Sequence, residues 1–177
     1  MPVIHQKSWA PDTTRHPRLV AELAAEMRAN HPFGQPLVLV KAYSRSGHLS
    51  VNVVWDKWAA KDGLDRAGVI LTAYGKVYGE EEREKVMVPI GYTEPEAVEF
   101  GLLPFEVRPL LRKTDPPEWH TGCRQAMLDL GASDLWKKGH PRLRLPTEEL
   151  AAEYVRELST RVPGSDDVWS VTRATAE

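Results

Sequence analysis

Residues 36–78 have the sequence PLVLVKAYSRSGHLSVNVVWDKWAAKDGLDRAGVILTAYGKVY, in which two apolar strands precede a helix. The second strand, at 48–55, alternates between large apolar side chains and smaller or polar ones, as a half-buried strand does. The first strand lies at 36–43, and the Gly-containing connection between the two predicts a hairpin. The side chains expected to point into the core are Leu49, Val51, Val53 and Trp55.

The helix that follows, at residues 64–78, has the clearest helical pattern in the chain. Its apolar residues recur at a spacing that places them on one stripe, and Gly79 is expected to end it. We predict that this stripe packs against the core side of the hairpin. The stripe consists of Val69, Ile70, Ala73, Tyr74, Val77 and Tyr78.

Further signals complete a predicted core domain at 14–112, which follows a flexible arm at 1–13. A helix is expected to begin at Pro17, because proline is tolerated in the first turn. A short strand is expected at 86–90.

Two signals lie near the end of this domain. Thr93 and Glu96 have the spacing of a capping box, which predicts the start of a short helix. A strand at 105–111 contains Pro109, and because proline lacks a backbone donor, we predict that this strand lies at a sheet edge.

The second half of the chain follows a predicted linker, KTDPPEWHTG at 113–122, in which adjacent prolines interrupt regular structure. Beyond it, residues 123–177 show signals for a helix, a strand, a helix and a strand in turn. These elements are expected at 123–130, at 142–145, from the cap Thr147 onward, and at 168–172. The predicted fold class is α+β: a small mixed sheet with helices packed on one side, plus an α-β-α-β C-terminal extension.

The composition is that of a globular protein, with 42% hydrophobic and 27% charged residues among 177. A formal net charge of -2 provides no overall positive field, which argues against general affinity for nucleic acid. Cys123 is the only cysteine, so no disulfide can form within the chain, and this suits a reducing compartment. Because no segment has the pattern of a signal peptide or a membrane helix, we expect a cytoplasmic protein without a membrane partner.

Residues 48–97 show a pattern whose parts occur in a fixed order. A His opens a valine-rich strand, and an acidic-basic-aromatic trio follows it. An Arg lies in the next helix, and the segment VMVPIGYTEPEA then forms a strand that leads into a turn. This pattern resembles that of the BolA family, whose hairpin followed by a helix belongs to a fold related to the second class of KH domains. The residues that carry the resemblance are His48, Val51, Val53, Val54, Asp56, Lys57, Trp58 and Arg66.

The resemblance implies a hairpin–helix arrangement and a binding role. Members of that family carry a His directly after the Arg and use it, with a partner glutaredoxin, to ligate an iron–sulfur cluster. Ala67 occupies this position here, so the resemblance does not imply cluster ligation, and we predict no cofactor.

His120 and Cys123 are the candidate catalytic residues. If Cys123 lies in the first turn of a helix, the helix dipole lowers the pKa of its thiol, and His120 could act as the base. Free cysteines are more commonly buried core residues, and no third orienting residue lies nearby in the sequence. We therefore prefer a structural role and keep a cysteine-dependent enzyme as the alternative.

No metal site is predicted, because the 6 histidines form no H-x-x-x-H or H-E-x-x-H pattern. The sequence contains no P-loop, no G-x-G-x-x-G and no G-x-S-x-G motif. These absences argue against nucleotide-cradling and α/β-hydrolase chemistry.

The only basic cluster lies at 136–144, where Trp136 could stack on a base while its neighbours contact phosphates. Binding of RNA or single-stranded DNA is therefore a second alternative. KH domains grip the backbone with a Gly-x-x-Gly loop, which this chain lacks, and we expect no tight binding. The basic residues concerned are Lys137, Lys138, Arg142 and Arg144.

Taken as a set, these features favour a non-enzymatic module that contacts another protein. Tryptophan is enriched at binding hot spots, and the chain has 6 tryptophans. Trp58 and Trp119 lie in polar neighbourhoods, so we predict that their rings are exposed and contact the partner, together with Asp56 and Lys57. The alternative is that both rings are buried.

Overall fold

Two three-stranded sheets organise the chain, and the computed structural model describes residues 16–28, 34–43, 45–133 and 141–174. The first half forms α1 (Pro17–Glu26), β1 (Leu37–Ala42), β2 (Leu49–Val54), a 3-10 helix (Asp56–Ala60), α2 (Gly63–Tyr78), α3 (Glu80–Glu84), β3 (Val86–Tyr92) and α4 (Glu94–Glu99). The second half forms β4 (Phe105–Pro109), α5 (Pro117–Asp129), β5 (Leu143–Leu145), α6 (Glu148–Arg161), a 3-10 turn (Asp166–Val168) and β6 (Trp169–Arg173). The α+β prediction is confirmed, including the α-β-α-β order of the extension.

The first sheet has the strand order β1-β2-β3. Strands β1 and β2 form the predicted antiparallel hairpin, and β3 returns parallel to β2 after α2 and α3. Asp62 caps α2, because its Oδ1 accepts a hydrogen bond from the Asp65 amide at 2.9 Å. Gly79 ends α2 with a φ of 93°, which a residue with a side chain rarely adopts.

The predicted core side of the hairpin packs against α2. Val51 and Val53 are fully buried, and so are Ile70 and Ala73 of the helix stripe. Helix α1 adds Leu19 and other apolar residues to the same cluster. Burial of each large aliphatic side chain stabilises a fold by about 1.5–3 kcal/mol, so this interface stabilises the first half of the chain.

The other side of the first sheet is covered by α4 and the segment after it, so helices lie on both sides of this sheet, where the sequence predicted them on one side. Ala97 and Leu103 pack against Leu39 and Val54, and all four are buried. The predicted capping box holds the first turn of α4: Thr93 donates its backbone N–H to Glu96 Oε2 at 2.7 Å and accepts from the Glu96 amide in return.

The second sheet has the order β5-β4-β6, and both pairings are antiparallel. The predicted edge position of β4 is therefore wrong, since β4 is the central strand. Pro109 is the last residue of β4, where it lies opposite Trp169, so its missing N–H falls at the point where pairing ends. The predicted core domain at 14–112 included this strand, whereas both of its partners, β5 and β6, lie in the predicted C-terminal extension at 123–177.

Helix α5 begins at Pro117, earlier than the predicted start at Cys123. Proline is tolerated there because the first-turn N–H has no partner within a helix. The predicted linker at 113–122 therefore overlaps the first turns of α5. The division of the chain into separate domains stays a prediction.

Trp58 is fully buried, and its predicted exposure is wrong. In a 3-10 helix, residues three apart lie on the same side, so Trp58 follows its neighbour Trp55 into the core. Their rings meet edge to face with centroids 5.6 Å apart, and Trp58 Nε1 donates to the Val53 carbonyl at 3.1 Å. Trp119 is half-buried and packs against the core of the second sheet.

Throughout the part of the chain that the structure describes, every helix is too short or too polar to cross a bilayer.

Candidate functional site

A cavity of about 640 Å³ is lined by residues of both halves of the chain. Helix α1, strand β1 and the end of β2 form one side, and the end of α5, strand β5 and helix α6 form the other. Most of its wall is apolar. The apolar side chains include Val20, Ala24, Leu37, Leu39, Leu128, Leu143, Leu145 and Leu150.

Charged side chains form a second part of the lining. Asp56 comes directly after β2, Glu94 is the first residue of α4, and Arg144 is the central residue of β5. Arg142 and Ser133 lie beside them on the lining. Acidic and basic groups from distant positions in the sequence therefore converge on one part of an apolar cavity.

Glu106 on β4 holds both arginines from behind the lining. Its Oε2 lies 3.3 Å from Arg144 Nε and 3.5 Å from Arg142 Nη1. The side chains of Glu106 and Arg144 are only 6% and 3% exposed, so this pair is almost completely removed from water. A buried ion pair of this kind loses much stability if one partner is removed, because the other charge is then left unpaired.

Glu94 has the most perturbed carboxyl of the site. Burial is the main cause that raises its pKa, to about 7, and the nearby carboxylates of Asp56 and Glu106 raise it further. Arg144 and Arg142 act in the opposite direction. The side chain of Glu94 therefore changes its charge close to neutral pH.

Asp56 supports the start of α4. Its Oδ1 accepts a hydrogen bond from the Glu94 backbone N–H at 3.1 Å. Burial raises the pKa of Asp56, while the hydrogen bonds from the Glu94 amide and the Ser133 side chain lower it. Asp56 thus fixes the position of Glu94 by a contact to its backbone.

Oε1 of Glu94 is buried, and among the described residues it accepts no hydrogen bond. Arg144 Nη1 lies 3.5 Å away, close enough for an ion pair and too far for a normal charge-assisted hydrogen bond. Buried polar atoms in proteins are generally hydrogen-bonded, so a buried oxygen on a cavity wall marks a place where a ligand can donate.

The four residues that were predicted to contact a protein partner lie in different parts of the structure. Asp56 lines the cavity, whereas Lys57 is half-buried beside it and is not part of the lining. The buried Trp58 contributes to the first core and Trp119 to the second. The structure does not bring these four residues together as one surface.

The candidate catalytic pair lies apart from the cavity. Cys123 is fully buried in the core of the second sheet, and burial raises the pKa of its thiol to about 11. Because α5 begins at Pro117, Cys123 is beyond the first turn, where the helix dipole has its effect. Nε2 of His120 lies 3.2 Å from the carbonyl oxygen of Arg112. The pKa of the thiol thus shifts in the direction opposite to that expected of a nucleophile.

The basic residues of the predicted nucleic-acid site divide into two groups. Arg142 and Arg144 line the cavity and form ion pairs with Glu106, which lies behind the lining. Trp136, Lys137 and Lys138 lie outside the described residues. For the two arginines, the structure shows internal pairing and not an exposed phosphate-binding face.

Two residues of the site were missed by the sequence analysis. Glu94 was seen only as part of a capping turn, and Glu106 only as part of a strand. A signal for Glu106 exists, because a charged residue in the buried phase of the strand FEVRP needs a partner. The identity of that partner, Arg144, depends on strand pairing that the sequence does not encode locally.

Within residues 16–28, 34–43, 45–133 and 141–174, no group of three or more His, Cys, Asp or Glu side chains is arranged to hold a metal ion. Comparison with known proteins gives no match to a family model, to a curated protein or to a solved structure. The site must therefore be interpreted from its own geometry.

Proposed function

We propose that this chain is a non-enzymatic binding module and that its cavity holds a small amphiphilic molecule. The observation that carries the proposal is a cavity with mostly apolar walls and one charged part, built from both halves of the chain. Small-molecule sites have this character: apolar walls supply the affinity, and a few polar groups fix the orientation.

The size of the cavity agrees with this role. A volume of about 640 Å³ lies within the range of about 300–1,000 Å³ that is typical of ligand pockets. Polar groups that are already positioned reduce the free energy that must be spent on ordering when a ligand binds. Here Glu94 is fixed through its backbone by Asp56, and Arg144 is fixed by Glu106.

Two features support a binding role over a cysteine-dependent enzyme. Cys123 does not line the cavity, and the pKa of its thiol is raised to about 11. The resemblance of residues 48–97 to the BolA family also favours a binding role, and that relationship stays a proposal. Contact with a protein partner stays a prediction as well. It was based on exposed rings of Trp58 and Trp119, and Trp58 is buried.

Two alanines of α1 allow a matched test. Ala21 and Ala25 are both exposed, but only Ala21 lines the cavity. We expect tryptophol, a neutral indole with a hydroxyl group, to bind the unmodified protein and the Ala25→Trp variant with similar affinity in ligand-observed NMR. The Ala21→Trp variant should lose binding, because its indole occupies the cavity.

Both substitutions lie at exposed positions, so the fold should be retained, and circular dichroism checks this. A second variant, Ala24→Phe, introduces bulk from a half-buried position on the same wall. Tryptophol binding that is equal in the two Trp variants would contradict the proposal, and so would an absence of binding to the unmodified protein.

A further inference from the structure

We propose that the cavity selects ligands that carry a protonated amine, which donates a hydrogen bond to Oε1 of Glu94. This inference rests on the proposed function and names the chemical class of the ligand. The cavity provides the space for the ligand body, and the buried oxygen of Glu94 provides an acceptor on its wall.

The hydrogen-bonding groups of the site favour a donor over an acceptor on the ligand. Both guanidinium groups face Glu106, at 3.3 Å for Arg144 and 3.5 Å for Arg142. The lining also includes a buried carboxyl oxygen of Glu94, which accepts no hydrogen bond among the described residues. A carboxylate accepts and does not donate, so a ligand must bring the hydrogen.

The charges of the site lead to the same conclusion. Among the described residues, the charged groups that act on Glu94 are the carboxyls of Asp56 and Glu106 and the guanidinium groups of Arg142 and Arg144. When Glu94 and these described groups are all ionised, their three negative charges exceed their two positive charges by one. A ligand with one positive charge restores neutrality, and a buried carboxylate is much better tolerated when it is paired.

An anionic ligand would encounter the opposite situation. The contacts to Glu106, at 3.3 Å for Arg144 and 3.5 Å for Arg142, already use part of the donor capacity of both guanidinium groups. An anion at Glu94 would lie near the carboxylates of Asp56 and Glu94, which repel it.

The titration of Glu94 gives the interaction a characteristic pH dependence. Burial and the facing carboxylates of Asp56 and Glu106 raise the pKa of Glu94 to about 7, against the opposing effect of Arg144 and Arg142. A protonated amine pairs with the ionised carboxylate and not with the neutral acid. Amine affinity should therefore fall as the pH decreases below about 7, since a proton then competes with the ligand.

Three indole compounds with the same ring system and different head groups test the inference: tryptamine, tryptophol and indole-3-propionate. Their dissociation constants are measured at pH 8 by isothermal titration calorimetry. We expect tryptamine to bind at least about tenfold more tightly than indole-3-propionate, as a charge-assisted hydrogen bond to a buried carboxylate would produce. Tryptophol should bind with intermediate affinity.

Variants assign the preference to Glu94. Glu94→Gln should weaken tryptamine binding by about tenfold or more and leave tryptophol binding within about twofold. Glu99→Gln is the control, because Glu99 is an exposed residue of the same helix, and it should change neither affinity. Between pH 8 and pH 6, tryptamine affinity should decrease in the unmodified protein and stay constant in Glu94→Gln.

The outcomes separate the inference from the proposed function. Tryptophol binding that Ala21→Trp abolishes, combined with no preference for tryptamine, overturns the inference and retains the binding cavity. Tighter binding of indole-3-propionate, or a tryptamine affinity that Glu94→Gln leaves unchanged, also overturns the inference. An absence of binding by all three compounds contradicts both.

Discussion

Oε1 of Glu94 and Nη1 of Arg144 lie 3.5 Å apart, and this ion pair connects α4, beside the first sheet, to β5 of the second. Each partner is held by a further contact: the Glu94 backbone donates to Asp56, and Arg144 Nε contacts Glu106. The polar part of the cavity is therefore also a connection between the two halves of the fold. The affinity for a ligand and the free energy of unfolding should consequently both depend on the ionisation of Glu94.

The first prediction concerns the free energy of unfolding as a function of pH. The pKa of Glu94 is raised from 4.5 to about 7 in the folded state, so the folded protein holds this proton more tightly than the unfolded chain. The contribution of Glu94 to stability is fully present below 4.5 and is lost as the pH rises to about 7. Glutamine does not ionise, so the Glu94→Gln variant does not lose stability in this way as the pH rises.

Glu94→Gln should therefore become more stable relative to the unmodified protein as the pH increases from 4.5 to 8. The expected gain is on the order of 3 kcal/mol, from the free energy that corresponds to such a pKa shift. Urea unfolding at several pH values measures this difference, with the exposed Glu99→Gln as control. A difference between Glu94→Gln and the unmodified protein that stays constant across this range would show that Glu94 titrates normally.

The second prediction concerns Trp58. Because its ring is fully buried and its Nε1 donates to the Val53 carbonyl, Trp58→Ala should lower the free energy of unfolding by about 3–5 kcal/mol. Trp58→Phe keeps most of the apolar volume and should cost less. Chemical denaturation monitored by circular dichroism provides the values. A loss below about 1 kcal/mol for Trp58→Ala would be incompatible with a core position.

The third prediction concerns Cys123. A buried thiol whose pKa is raised to about 11 is almost entirely protonated at pH 8 and is shielded from reagents. Iodoacetamide should therefore modify the native protein very slowly and the protein in guanidinium chloride rapidly. Mass spectrometry follows the reaction over time. Rapid modification of the native protein, with a midpoint below pH 8.5, would restore the cysteine-dependent alternative.

Local sequence patterns were sufficient to predict much of the fold. The alternation around Val51 and Val53, the helical stripe around Ile70 and the capping box at Thr93 each depend on residues close together in the chain, and all appear in the structure. The central position of β4 was not predicted, because both of its partners come from more distant segments.

The site was predicted only in part, for the same physical reason. Asp56, Arg142 and Arg144 were singled out, but for roles on an exposed surface. Their burial results from the convergence of both halves of the chain around the cavity. Glu94 had no local signal beyond its place in a turn. Its burial depends on distant segments, and the carboxylates that raise its pKa, those of Asp56 and Glu106, are not adjacent to it in sequence.

The central claim is that the cavity binds a small molecule with its polar head at Glu94, and NMR mapping of backbone amides tests it most directly. Addition of tryptamine to the 15N-labelled protein should shift amides on both sides of the cavity, at Asp56 and Glu94 in the first half and at Ala132 and Leu145 in the second. These shifts should disappear in Ala21→Trp. Shifts confined to residues outside the cavity, or an absence of saturable shifts, would contradict the account.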